Sequence, residues 1–301
     1  MKKNLLLLML IVASVNLSAQ EKPLPLYKGV IPGSKPAPPD FKEKKDENGF
    51  VSNISVPTIT PYFPETRKTN SPAVLVFPGG GYAGLAMAHE GDEIAKAFTS
   101  IGFVAFVVKN RLPDDRIMVD KKTGPLQDAQ QAIHLVRERA AEFGIDPART
   151  GIIGFSAGGH LASTAGTHFD KNYIGTTDNI SLVPSFMLLI YPVISFGPIT
   201  HRGSREHLLG NKPSADLVSQ YSNETRVTAQ TPPTFLVHSA DDAVVPVKNS
   251  LVFFDSLQAK KIPSEIHVYE KGGHGFGLHN RTTTDNWFDR CAAWLKTHRF
   301  S

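Results

Sequence analysis

The sequence predicts an α/β fold with a mostly parallel central sheet flanked by helices on both faces. Two observations carry this expectation. Short apolar runs alternate with longer stretches of helical periodicity, the pattern of parallel strands buried on both faces and joined by crossover helices. The composition supplies a core for such a sheet: of 301 residues, 41% are hydrophobic and only 20% are charged, which also argues against a disordered chain.

Taken in order, residues 1–20 read as a secretory signal. Lys2 and Lys3 give the positive start, Leu5 to Val15 the apolar stretch, and Ser18, Ala19 and Gln20 a small-residue cleavage region. The apolar run of about 11 residues falls short of the roughly 20 that span a bilayer, so the expectation is a cleaved leader, no membrane span in the mature form, and a periplasmic or secreted location. Residues 21–50 carry six prolines, Pro23, Pro25, Pro32, Pro36, Pro38 and Pro39, among charged residues. That composition resists regular structure and predicts a Pro-rich arm or linker.

Residues 51–301 form the predicted α/β domain. Strands are expected at Ser52–Tyr62, Ala73–Phe77, Phe103–Lys109, Thr150–Phe155, Phe186–Tyr191, Thr234–His238 and Ser264–Tyr269. Helices are expected between them at His89–Ser100, Leu126–Phe143, Ala157–His168, Pro246–Ala259 and Thr284–His298. No internal repeat or second composition block interrupts the domain.

Charge and cysteine content narrow the function. The chain carries 32 Lys and Arg against 28 Asp and Glu. Loss of Lys2 and Lys3 with the leader leaves a net charge of +2, so no nucleic-acid partner is expected. Cys291, the single cysteine, excludes an intramolecular disulfide and any Cys-rich zinc or iron–sulfur site. No metal and no cofactor are expected.

The chemistry is concentrated in short motifs. Gly154-Phe155-Ser156-Ala157-Gly158 follows the apolar run Gly151-Ile152-Ile153 and precedes a predicted helix. It matches the G-x-S-x-G turn that exposes a serine hydroxyl above a sheet and beside a helix N-terminus. A serine needs a base, and that base an orienting acid. In this arrangement the acid follows the serine and histidine comes last. His274 lies in the glycine-rich Gly272–Gly277 loop just after a predicted strand. His279 is its local competitor, and His238 is expected to pack on its own strand. For the acid, adjacent Asp241 and Asp242 compete in the loop after the strand Thr234–His238. Asp242 is the choice and Asp241 the alternative, as a capping or loop-stabilising residue.

Pro78-Gly79-Gly80-Gly81-Tyr82 follows another predicted strand. Glycines let backbone amides turn toward a developing oxyanion, and the Walker pattern's Lys-Ser/Thr pair is absent. Gly80, Gly81 and Ala157 are the expected oxyanion donors, each contributing about 3 kcal/mol. Tyr82, beside the glycines, and Phe276, in the His274 loop, are candidate substrate contacts, Tyr82 as the cap of a small acyl pocket.

Together these segments resemble the α/β-hydrolase superfamily over about Ser52 to Phe300. Phe77-Pro78-Gly79-Gly80-Gly81-Tyr82, His89-Glu90-Gly91, Arg111-Leu112-Pro113 and the extended elbow through Gly159-His160 are similar to its secreted carbohydrate-esterase branch, which includes acetyl xylan esterases and feruloyl-esterase-like proteins, some labelled xylanases. Thr231–His238 leading into Asp242-x-x-Val245-Pro246 also resembles that branch and favours Asp242. Pro78 and Asn110 depart from the histidine and tyrosine of many relatives, which touches the acyl pocket and not the triad.

The resemblance implies a cofactor-free serine esterase acting on an acylated carbohydrate, acetyl first and feruloyl second. Ser156 would attack the ester and His274 would protonate the leaving sugar alkoxide. The stretches 170–184 and 196–230 hold Tyr173, Phe196, His201, Arg202, Arg205, His207 and Tyr221, which either line a carbohydrate site or form ordinary loop surface. A serine exopeptidase would share the triad, but a segment of about 50 residues before the hydrolase region is too short for a gating domain. A non-catalytic sugar-binding protein on this fold would not need the intact serine, acid and histidine order.

Overall fold

The computed structural model describes residues 20–301, so all of the expected leader except Gln20 lies outside the described residues. In chain order the strands are β1 (Leu24–Pro25), β2 (Lys44–Lys45), β3 (Phe50–Ser52), β4 (Thr58–Tyr62), β5 (Ser71–Phe77), β6 (Leu85–Ala86), β7 (Val104–Lys109), β8 (Ile145–Phe155), β9 (Met187–Ile190), β10 (Thr234–Ser239) and β11 (Ser264–Tyr269). The helices are α1 (Glu93–Ser100), α2 (Gly124–Glu138), α3 (Ala140–Phe143), α4 (Ser156–Ala165), α5 (Arg202–Leu209), α6 (Ala215–Gln220), α7 (Lys248–Ala259) and α8 (Trp287–Thr297).

Eight strands make the main sheet in the order β1-β4-β7-β5-β8-β9-β10-β11. It is parallel from β7 to β11, and β4 pairs antiparallel with both β1 and β7. Successive strand residues point to opposite faces, and here both faces are covered. Ala73, Leu75 and Phe77 of β5 pack with α2, α4 and α7, while Val74 and Val76 pack with α1 and α8. Burial on both sides is why these strands read as unbroken apolar runs. Cys291 on α8 is buried in the second layer, where burial pushes its thiol up. No helix among the described residues is long and apolar enough to cross a membrane.

Several predicted elements need correction. The expected strand Ser52–Tyr62 is two strands in different sheets: β3 joins β2 and β6 in a small three-stranded sheet, and only β4 enters the main one. Asn53, at φ 54°, turns the chain between them, a left-handed conformation that asparagine tolerates. The helix expected at His89–Ser100 opens as a π-helical turn, Met87–Asp92, before α1. The one expected at Leu126–Phe143 breaks at Arg139 into α2 and α3. Helices α5 and α6, within the stretch 196–230, had no expected counterpart.

Residues 21–50 run along the domain. Leu26 and Phe41 are buried, and β1 extends the sheet edge. A wholly buried ion pair anchors this segment. Arg111 Nε lies 3.0 Å from both carboxylate oxygens of Asp128, its Nη1 donates to the Pro32 carbonyl at 2.9 Å and Ser34 Oγ at 2.8 Å, and Tyr27 donates to Asp128 at 3.0 Å. Burial opposes the Arg111 charge, but the adjacent Asp128 outweighs it and raises the guanidinium pKa.

Candidate active site

The parallel strands end on one edge of the sheet, where α/β folds build their sites. β5 leads into Gly79–Tyr82, β8 into Ser156, β9 into Tyr191, β10 into Asp242 and β11 into His274. β8 passes directly into α4 with no linker, and Ser156 at the junction has φ 51°. This left-handed conformation is strained for a side chain and is held by its surroundings. The flanking glycines are required by contact. A Cβ on Gly154 would lie 2.3 Å from the Gly158 carbonyl oxygen, and one on Gly158 2.1 Å from that of Phe77.

His274 Nε2 lies 2.8 Å from Ser156 Oγ, and its Nδ1 lies 2.7 Å from Asp242 Oδ2. With an ionised acid, Nδ1 carries the proton, so Nε2 offers its lone pair to the serine hydroxyl. Asp242 Oδ1 accepts the Val244 and Val245 N–H groups at 2.9 and 2.8 Å. Burial works against this charge, but hydrogen bonds from His238, His274 and Val245 prevail and hold the carboxyl well below the usual range. The neighbouring Asp241 carboxylate turns elsewhere, and its Oδ1 accepts the Gly273 N–H at 2.8 Å, bracing the turn before His274. His238 is buried, bridges Ser250 Oγ and the Val245 carbonyl, and has its Nε2 3.3 Å from Asp242 Oδ2, while His279 is not part of the Ser156–His274 contact.

Three residues of the glycine loop are held by three different elements. The Gly79 N–H donates to Glu90 at 2.7 Å, His207 of α5 donates to the Gly81 carbonyl at 2.8 Å, and the Tyr82 hydroxyl meets His160 Nδ1 at 2.8 Å. Gly80 and Gly81 have φ 139° and 63°, and a Cβ on Gly80 would lie 2.2 Å from the Gly84 carbonyl oxygen. Gly80, Tyr82, Leu85, Ala157 and Leu161 line a common cavity of about 10 Å³, room for roughly one water. Gly81 is outside that lining. Tyr82 is a buried wall of it. Phe276 packs edge-on against Tyr191 at 4.6 Å between ring centres.

The residues of 170–184 and 196–230 divide between core and surface. Phe196 and Tyr221 are buried: Phe196 stacks on His160 at 4.1 Å, and the Tyr221 carbonyl accepts His160 Nε2–H at 2.9 Å. His201 caps α5 by accepting the Ser204 N–H, and burial lowers its pKa. Burial likewise drives His160 down to about 3, so it is neutral. Sequence reasoning missed the roles of Glu90, His160 and Tyr191. The first two sit inside quoted motifs, and Tyr191 carries no local signal beyond ending a predicted strand.

This mostly parallel sheet, with a serine elbow at its centre and the acid and histidine in the loops after β10 and β11, defines an α/β-hydrolase. The BD-FAE family model matches residues 60–257, and the chain belongs to that family. It is 37% identical over 216 residues to Endo-1,4-beta-xylanase B of Butyrivibrio fibrisolvens, covering 71% of this chain and 34% of that protein. It is 34% identical over 211 residues to an acetylxylan esterase of Xylanibacter ruminicola, covering 68% of this chain and 41% of that protein. The chain thus spans well under half of these two relatives. An acetyl ester-xyloside bifunctional hydrolase from Caldicellulosiruptor lactoaceticus superposes with a TM-score of 0.82 at 38% identity, covering 95% of this chain and 99% of that one.

Proposed function

We propose that this protein is an exported esterase that removes acetyl groups from acetylated xylan or its oligosaccharides through an acyl-enzyme on Ser156. The observation that carries the reading is the continuous contact of Ser156, His274 and Asp242 at 2.8 and 2.7 Å. Ser156 Oγ attacks the ester carbonyl while His274 Nε2 takes its proton. The Gly80, Gly81 and Ala157 N–H groups receive the oxyanion. Collapse breaks the bond to the sugar oxygen, which leaves with the proton from His274. Water, deprotonated by His274, then cleaves acetyl-Ser156 to acetate and free serine.

The acetylxylan esterase and acetyl ester-xyloside hydrolase relatives support the substrate class and the choice of acetyl over feruloyl. Glycoside cleavage generally needs two carboxyl groups across the scissile bond. Here Asp242 is engaged by His274, and both Glu90 oxygens are taken by Gly79 and Tyr191. The test compares acetate release from acetylated xylan with ferulate release from methyl ferulate and cleavage of a nitrophenyl xyloside, for wild type and Ser156→Ala. Acetate release abolished by Ser156→Ala is expected. Faster ferulate release, or release of acetate by the variant, overturns the reading. Recovery of processed protein outside the cytoplasm tests export.

A further inference from the structure

The His89-Glu90-Gly91 motif has no part in the triad, yet it reaches both loops that the chemistry depends on. Glu90 lies in the π-helical turn Met87–Asp92 and is 3% exposed. Its Oε2 accepts the Gly79 N–H at 2.7 Å, and its Oε1 accepts the Tyr191 hydroxyl at 2.8 Å. The Tyr191 oxygen in turn accepts the Gly277 N–H at 2.9 Å, and the Gly277 carbonyl accepts the Trp287 indole N–H at 3.1 Å. The Tyr191 ring lies edge-on to His274, with centres 4.9 Å apart.

One carboxylate therefore grips the root of the oxyanion loop directly and the far end of the His274 loop through a single phenol. We propose that Glu90 is a positioning residue that, with Tyr191, holds the Gly79–Tyr82 loop and the His274 loop at a fixed separation. Those loops need an external brace. Gly272, Gly273, Gly275 and Gly277 all have positive φ, and neither loop belongs to a helix or strand there. Burying a carboxylate is costly unless its oxygens are satisfied by donors. Here one donor, the Gly79 N–H, belongs to the oxyanion loop, and the other, the Tyr191 hydroxyl, itself holds the Gly277 N–H of the His274 loop. Tyr191 itself is held at φ 36°, a strained backbone that aims its phenol into this bridge.

The inference rests on the esterase reading, and the experiment separates the two. Wild type, Ser156→Ala, Glu90→Gln, Tyr191→Phe and the double variant Glu90→Gln/Tyr191→Phe are assayed on p-nitrophenyl acetate, with kcat and KM resolved and melting temperature recorded. Each single variant is expected to lose about 100-fold in kcat with KM within about 3-fold, the scale of misplaced catalytic groups. The double variant should be no slower than the poorer single, because the same bridge is cut. If a folded Glu90→Gln or Tyr191→Phe keeps kcat within about 3-fold of wild type, or if the two losses multiply, the proposal is overturned. A purely structural role would lower melting temperature while leaving kcat per folded enzyme unchanged, which also overturns it. Failure of the esterase reading looks different: wild type is inactive, or Ser156→Ala is not.

Discussion

Replacing Asp242 by asparagine preserves shape and removes one acceptor, and the hydrogen bonds around it determine the consequence. The carboxylate uses Oδ1 for the Val244 and Val245 N–H groups and Oδ2 for His274 Nδ1. An asparagine that keeps its oxygen toward the two backbone donors must face His274 with its NH2 group. The imidazole then presents a lone pair at Nδ1 and carries its proton on Nε2, toward Ser156, where it cannot accept the serine proton. The flipped amide instead aims its NH2 at two N–H groups, a cost of about 1–3 kcal/mol for the buried donors left without an acceptor. The wrong tautomer is therefore the expected state. By comparison with the same exchange in another serine hydrolase, kcat should fall by about 10⁴-fold, or roughly 5 kcal/mol of barrier. The assay is steady-state hydrolysis of p-nitrophenyl acetate by Asp242→Asn and Asp241→Asn, with thermal melts to confirm folding. Asp241 only braces Gly273, so its variant should lose less than about 10-fold. The opposite ranking, or Asp242→Asn retaining more than about a tenth of wild-type kcat, would refute the assignment.

Three further outcomes follow from the packing. Gly158→Ala should destabilise the fold by about 3 kcal/mol or more, because its Cβ would lie 2.1 Å from the Phe77 carbonyl oxygen, and soluble yield and melting temperature read this directly. Arg111→Met strands the buried Asp128 charge and should cost about 3–5 kcal/mol, whereas Arg111→Met/Asp128→Leu should recover much of it. Equal stabilities of the single and double variants in urea melts would show that the stranded charge is not the cause. His160, at about 3 in the fold against 6.5 ordinarily, binds its proton more readily in the unfolded chain. Its contribution is complete above about pH 6.5 and is lost as pH falls toward 3, by about 1.4 kcal/mol per pH unit. His160→Gln should flatten the acid limb of the stability curve by about one proton, and an unchanged slope would contradict this.

Local sequence determined much of this molecule. Strands buried on both faces must be continuously apolar, so the sheet was legible as a series of runs. The serine elbow is likewise a local object, its glycines required by contacts from Gly154 to Gly158 and from Gly158 to the end of the adjoining strand. The order of serine, acid and histidine followed from motifs at successive strand ends. What the linear chain does not contain is the partner of each polar group. Asp241 and Asp242 are chemically identical neighbours, and only the fold sends one to Gly273 and the other to His274. Glu90 and Tyr191 stand about a hundred positions apart and meet at 2.8 Å. Phe196 and Tyr221 suit a sugar platform by residue type, yet packing around His160 buries them. Asn53 turns one expected strand into two, and Arg111 draws the proline-rich segment onto the domain. Apolar periodicity reports which face a residue turns inward, because burial repeats along the chain. A hydrogen bond depends on which distant donor the folded backbone brings within 3 Å, and that was decided only by the tertiary structure.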